Sequence, residues 1–461
     1  MSNIPTTKIR AHAASVPPKS KPGELLCHVG NDIKISAGAL ELFCFKQLTD
    51  KEEDLVLLAG VVAFADRSVR RLVANGWRRN LHVVMPVKNP EWWSAYSLSS
   101  TLIDALRFLT GDAWSFEFVK RKGKSVKLKQ SELALGAGKF VVMPFSNGLD
   151  SFSESRLLSV GFPNTAAIRL TAWNRSLAGG RDWVTEADGT RYRRVSLPVA
   201  LATGKHAEQT FRSRSFMFST LAGLAAAMSN AEAIFIPEAG QGALGPSLVP
   251  VGQESPHRGS HPKFSQFMMA FFQAFWGKAI SIQHPQLWRT KGEVLALLQS
   301  KDLQHGWEKT TSCSRDQRVT STARHKKIQC GICSGCLLRR MSLFSAGYND
   351  PNSNYFWDDL AASTLEKALC SDARRTVSPN DRDIAVHAVL AMEELARQAD
   401  LPADHPGHQK ALIDSGGDQA KKDSGNHNPL TRLLTAHKTE WRAFTDSLGK
   451  DSWIRQQILQ V

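Results

Sequence analysis

Two stretches of this 461-residue chain carry side chains whose types and spacing suit chemistry. The first is SNGLDS at 146–151, set between the apolar run KFVVM and the helix-like SESRLL. A strand, a polar glycine-containing turn and a helix start leave backbone N–H groups free to hold an anion. Ser146 and Ser151 add hydroxyls, and Asp150 is the kind of carboxylate that serves magnesium beside phosphates. S-N-G-x-D-S is also an ordinary turn, so the stretch alone leaves both readings open. The second stretch is C-x16-C-x2-C-x2-C, formed by Cys313, Cys330, Cys333 and Cys336. Four thiolates meet the tetrahedral preference of zinc, and a C-x2-C turn lets two sulfurs converge on one ion. An iron–sulfur cluster takes the same ligand set. With no open coordination position in the pattern, the metal is expected to be structural, contributing on the order of 10 kcal/mol to local folding. His325 is a spare ligand in a basic loop.

The elements that must position these residues follow from patterning. Length predicts two or three domains. An apolar content of 42% with 12 Trp and 22 Phe predicts that most of the chain folds. No apolar run approaches the length of a membrane helix; LVLLAGVVAFA at 55–65 is too short and reads as a buried helix. The N-terminal residues lack the apolar core of a secretory leader, so a cytoplasmic location is expected, with residues 1–23 a disordered tail. In that setting clustered cysteines favour metal over disulfides. The net charge of +15 points to an anionic partner.

Residues 24–135 read as a small N-terminal α/β domain without a glycine-rich loop or catalytic cluster. A helix over 54–73 places Leu55, Leu58, Val62, Val69 and Leu72 on one face, LHVVMPV is a strand, and one helix runs through WWSAYSLSSTLIDALRFL. After the basic connector at 120–130, residues 136–355 alternate strands (KFVVM, AIRLTAW, RRVSLPV, AEAIFI) with helices, which indicates a doubly wound parallel α/β sheet. Ligands on such sheets bind outside the carboxyl ends of strands, where SNGLDS and PEAGQGALGP both fall. Residues 356–461 read as a C-terminal helical extension with a polar linker near 414–429.

In combination these motifs resemble a known family. A PP-loop of the form S-G-G-x-D-S followed far downstream by C…C-G-x-C-x-x-C-x-x-R is the pattern of the QueC, or 7-cyano-7-deazaguanine synthase, family. The chain has SNGLDS, then CGICSGCLLR ending at Arg339, with Cys313 upstream. FRSRSFMFSTLAGLAAAM resembles the family's R-N-x-x-F-L-S helix, and RTKGEVLALL its T-K-x-E-I segment. The resemblance spans roughly residues 137–350. It implies a Rossmann-like PP-loop ATPase fold, zinc over iron–sulfur, and use of ATP and Mg2+ to adenylate the carboxylate of 7-carboxy-7-deazaguanine. On that reading Ser146, Asn147, Gly148, Leu149, Asp150 and Ser151 hold ATP and its pyrophosphate, with Asp150 near magnesium. Arg214 and Lys291 neutralise charge developing on phosphate. Glu238 and Gly240 line the substrate.

Three departures refine the expectation. Asn147 replaces a loop glycine, which matters if that position is left-handed. The family's substrate segment is absent, its place taken by a strand ending in PEAG. The N-terminal domain and C-terminal helices are additions. Together with the R-S-R element and His261–Pro262, these features resemble the QueC-like proteins of bacterial antiphage systems, QatC of the Qat system above all. That resemblance implies transfer of the acyl group to an amine of a partner protein from the same operon, at its N-terminus. Nucleic acid is the less favoured partner, and no membrane partner is expected. The rivals are a queuosine-pathway synthase, a tRNA-modifying PP-loop enzyme, and a non-catalytic nucleotide-binding scaffold.

Overall fold

The computed structural model describes residues 4–13, 18–19, 21–121, 139–161, 165–171, 183–185, 191–197, 199–201, 204, 206–249, 257–315, 328–416 and 428–460. Most of the basic connector, the centre of the 414–429 linker and His325 lie outside the described residues. The chain divides into two compact units. The first comprises Met1–Phe145, Leu158–Ile236 and Gln253–His284; the second comprises Ser146–Leu157, Pro237–Gly252 and Pro285–Val461.

The first unit opens with β1 (Thr6–His12), β2 (Glu24–His28), β3 (Ile33–Ile35), α1 (Gly38–Cys44), α2 (Asp50–Ser68), β4 (Asn80–Val87), α3 (Pro90–Ser94), α4 (Tyr96–Thr110) and β5 (Ala113–Lys120). Strands β2, β1, β4 and β5 form an all-parallel sheet in that order. The expected disordered tail is thereby corrected over residues 6–12. Alternation in TTKIRAH buries Ile9 completely, and parallel partners on both sides satisfy the backbone. Helix α2 starts on a full capping box between Thr49 and Glu52. Its residues from Asp54 to Asp66 are buried on every side, so it has no solvent stripe. It ends at Ser68, short of the expected 73, and Leu72 is exposed beyond it. The helix expected through WWSAYSLSS is broken in two at Ala95.

The unit continues with β6 (Lys139–Pro144), and helix α5 (Leu149–Gly161) follows. Next come β7 (Thr165–Thr171), β8 (Trp183–Thr185), β9 (Arg191–Ser196), β10 (Val199–Leu201), α6 (Arg214–Ser229) and β11 (Ala233–Phe235). Here β10 pairs with β3. Two further elements of the first unit, α8 (Pro262–Trp276) and β12 (Ser281–Gln283), follow after α7 (Gly240–Leu248) of the second. The larger sheet has the order β12-β11-β6-β7-β9-β8, parallel except for the β8–β9 edge pair. From β6 the chain moves to β7 and β9 on one side, then returns to β11 and β12 on the other. The order therefore reverses between β6 and β11, the place where doubly wound sheets open toward ligands. SNGLDS follows β6 in the chain and PEAG follows β11.

Four of the buried charges in this unit form one cluster. Arg79 Nη2 lies 2.6 Å from Asp66 Oδ1 and 2.7 Å from Asp112 Oδ2, and Arg71 Nη2 lies 2.7 Å from Asp112 Oδ2. Asp66 Oδ2 also accepts the backbone N–H of Ser213 at 2.7 Å, at the entrance of α6. Burial alone would raise the Asp66 carboxyl, but Arg79 and the Ser213 N–H outweigh it and hold it below the ordinary range.

The second unit is helical. With the start of α5 and with α7, it holds α9 (Lys291–Ser300), α10 (Ser334–Ser345), α11 (Pro379–Arg397), α12 (Pro406–Asp414), α13 (Pro429–Ser447) and α14 (Trp453–Leu459). One apolar core joins α10, α11, α13 and α14 through Leu337, Met341, Phe356, Trp357, Val389, Trp441 and Ile454. The segment expected as a turn at 237–246 instead winds into α7 from Gly240, with Pro246 tolerated inside it. Removing Asp66 strands a buried guanidinium and an amide. Asp66→Ala is expected to destabilise the protein by about 3–5 kcal/mol, measured by denaturant unfolding; a loss under ~1 kcal/mol would show the quartet to be dispensable.

Candidate active site

The SNGLDS turn is closed by its own side chains. Ser146 N–H donates to Ser151 Oγ at 3.2 Å, the two hydroxyls lie 3.1 Å apart, and Gly148 N–H donates to Ser146 Oγ at 3.1 Å. Asn147 O accepts Thr311 N–H at 2.8 Å. Leu149 is fully buried with Phe152, Leu295, Leu298 and Trp307, which fixes the first turn of α5. Amides in such a first turn have no acceptor within the helix. Positive φ among described non-glycine residues is confined to Phe45, Trp77, Asn230 and Asp302. Asn147 is therefore not left-handed and carries no strain in the glycine's place. The glycine constraint sits next door, where a Cβ on Gly148 would lie 3.0 Å from Ser146 Oγ.

Asp150 projects from this turn to Lys291, the first residue of α9, with Oδ2 and Nζ 2.7 Å apart. Lys291 is only 5% exposed. Burial alone would lower its pKa, but the carboxylates of Asp150 and Glu238 outweigh that and hold it above the ordinary value, with Arg339 opposing them. Half-buried Glu238 is pushed up to about 7, chiefly by burial and then by the charge of Asp150, with Lys291 pulling the other way. Its side chain folds back over the start of α7, where a Cβ on Gly242 would overlap Oε1. Gly240 is buried against the Leu287 carbonyl and Leu433, and its N–H donates to Arg289 O at 3.0 Å.

The structure thus joins Asp150, Lys291 and Glu238 in one centre. Arg214 belongs to the first unit, where it opens α6, is exposed, and sits 5.3 Å over the Phe218 ring. One residue that the sequence marked but left without a role is Arg339. It is 1% exposed, donates from Nη1 to Thr310 Oγ1 at 2.6 Å and lies 5.4 Å over the Trp307 ring. Its Nε has no acceptor among the described residues, and no carboxylate pairs with it there. A guanidinium buried on one neutral acceptor suits an anionic ligand. Its signal in sequence was an arginine in the apolar helix behind the last cysteine.

The four cysteines converge in the second unit, with each sulfur within 4.8 Å of the others. Cys330 Sγ and Cys336 Sγ are 3.7 Å apart, and tetrahedral zinc bonds of about 2.3 Å would set sulfurs about 3.8 Å apart. Cys330 N–H points to Cys313 Sγ at 3.3 Å and Cys333 N–H to Cys330 Sγ at 3.4 Å, the donors that thiolates attract. Gly331, at φ +95°, turns the chain where a side chain would meet the Trp357 carbonyl. Cys333 caps α10 and Cys336 lies in its first turn. The donor set and spacing fit a closed zinc site.

Residues 253–347 match the family model described as Queuosine biosynthesis protein QueC. The chain carries a QueC-like segment. It takes in Lys291, all four cysteines and Arg339, and stops short of SNGLDS, Glu238 and the C-terminal helices. No curated protein matches the chain. Among the described residues no helix is long and apolar enough to cross a membrane.

Cys336→Ser is expected to lose bound zinc and to lower the melting temperature, as is stripping by a chelator; metal analysis beside a thermal melt checks both. A raised carboxyl also sets a pH dependence. Glu238 titrates near 7 when folded against an ordinary 4.5, so the folded state keeps its proton longer. Stability is then lost as pH rises between those values. Glu238→Gln is expected to flatten that fall in melting temperature, and an unchanged pH profile would contradict the shift.

Proposed function

We propose that this protein is a QueC-like, ATP-dependent carbon–nitrogen ligase of antiphage defence. It adenylates the carboxylate of a 7-deazaguanine and transfers the acyl group to an amine, the N-terminus of a partner protein. One observation carries the reading: Asp150 of the turn after β6 grips Lys291 of the QueC-like segment at 2.7 Å. Two motifs far apart in sequence thus meet as one charged centre beside a helix start. The order of the larger sheet, reversing between β6 and β11, supports a Rossmann-like PP-loop fold.

In the first step a substrate carboxylate oxygen attacks the α-phosphorus of ATP, and the bond to pyrophosphate breaks. Ser146, Ser151 and the first amides of α5 hold the leaving pyrophosphate, with Asn147, Gly148 and Leu149 shaping the turn. Asp150 would hold a magnesium ion accompanying the nucleotide, which would screen phosphate charge, and Lys291 would then face phosphate oxygens. Arg339 adds positive charge where negative charge builds on phosphate. In the second step the amine attacks the acyl carbon, loses a proton, and AMP departs with the carboxylate oxygen. Glu238, poised near pH 7, suits acceptance of that proton. Cys313, Cys330, Cys333 and Cys336 would hold a structural zinc that clips the segment bearing Arg339. The added N-terminal domain at 24–135 and the C-terminal helices, which the resemblance to the ammonia-using synthase does not include, support a macromolecular acceptor.

The test is ATP–pyrophosphate exchange dependent on 7-carboxy-7-deazaguanine. Lys291→Met and Asp150→Asn are each expected to lower it by about a hundredfold or more while the protein stays folded. Intact mass of the partner is expected to rise by one acyl group. Absence of exchange by the unmodified protein would overturn adenylation, and exchange with only ammonia accepted would return the protein to nitrile synthesis.

A further inference from the structure

The buried polar groups of α13 have no part in the chemistry above, yet they converge on the residue that does. Lys291 is the first residue of α9, so its backbone N–H has no acceptor within the helix. That N–H donates instead to Gln241 Oε1 of α7 at 2.8 Å. Gln241 Nε2 in turn lies 2.9 Å from Nδ1 of His437, a fully buried side chain of α13. His437 Nε2 lies 2.9 Å from the Met392 carbonyl, which can only accept. The histidine proton therefore sits on Nε2, and Nδ1 is left as an acceptor. An acceptor there fixes the Gln241 amide with its NH2 toward His437 and its oxygen toward Lys291. The reversed amide would set two donors against each other at Lys291 and two acceptors against each other at His437.

The same face of α13 holds the rest of that helix start. Glu440 accepts from Thr290 Oγ1, the cap of α9, and its carboxylate fills the space a Gly292 side chain would need. Arg432 grips Glu293, the other half of the capping box, at 2.6 and 2.9 Å. Leu433 packs on Gly240. Burial keeps His437 neutral, with its pKa pushed down to about 4.

From this geometry we infer that His437 is a positioning residue of the centre: through Gln241 it sets the backbone from which Lys291 reaches Asp150. Helix α13, outside the QueC-like segment, is thus part of the site. The inference gives α13 a role within the proposed ligase and rests on that reading only for its kinetic consequence.

Hydrogen exchange at the Lys291 amide, resolved by fragmentation mass spectrometry, reads the contact without any substrate. His437→Leu is expected to speed exchange of that amide by about tenfold or more, leaving amides of α10 unchanged. His437→Asn, which keeps an acceptor near the Nδ1 position, is expected to retain protection. In pyrophosphate exchange, His437→Leu is expected to lower kcat with KM for ATP within about twofold, and His437→Asn to restore it. Should His437→Leu fail to fold, Gln241→Met must give the same two signatures. A Lys291 amide as slow in the folded variant as in the parent overturns the inference. An accelerated amide in a protein that never exchanges pyrophosphate leaves the positioning standing and removes the ligase reading instead.

Discussion

A lysine ammonium held at 5% exposure costs several kcal/mol unless carboxylates face it. Around Lys291 that requirement organises much of the second unit. Asp150 must be carried to it by a turn stiff enough to hold a carboxylate in place, which the Ser146–Ser151 bonds and the buried Leu149 provide. Glu238 must come near enough to add charge, which a helix start lacking side chains at Gly240 and Gly242 allows. The ammonium then draws the two acids together although like charges repel, and burial first, with the charge of Asp150 second, raises Glu238. Such a cluster offers a carboxylate to a cation and an ammonium to an anion.

The zinc-type clip solves a separate problem. Among the described residues few regular elements connect Trp307 to α10, and short bridges such as Gln329 to Tyr355 supply little cooperativity by themselves. Four sulfurs converging on one point tie the loop at Cys313 to the head of α10. Arg339 sits one turn further along that helix, so the same clip that orders the loop also aims the guanidinium.

Much of the centre was legible in the sequence because its parts are local motifs. SNGLDS reads as a strand-to-helix turn, RTKGEVLALL as the resembled family's T-K-x-E-I segment, and C-x2-C-x2-C as metal ligands. The alternating strands and helices gave away the parallel sheet. What stayed hidden was tertiary. Nothing local in TTKIRAH outweighs the Pro- and Lys-rich surroundings; β1 exists because β2 and β4 offer hydrogen-bond partners on both sides. PEAGQGALGP is rich in turn formers, and it winds into α7 because Gly240 can press against the Leu287 carbonyl. His437 and Glu440 look like any polar residues on an amphipathic helix until α9 is packed against them.

The ordinary backbone at Asn147 bears on how such loops are defined. Sterically, the loop asks for a missing side chain at 148, where Ser146 Oγ fills the space, and asks nothing comparable at 147. A signature demanding glycine at both positions is therefore stricter than the stereochemistry of the turn. Position 147, exposed at the mouth of the turn, is open to side-chain variation, and lineages can explore different ligands there without rebuilding the loop beneath.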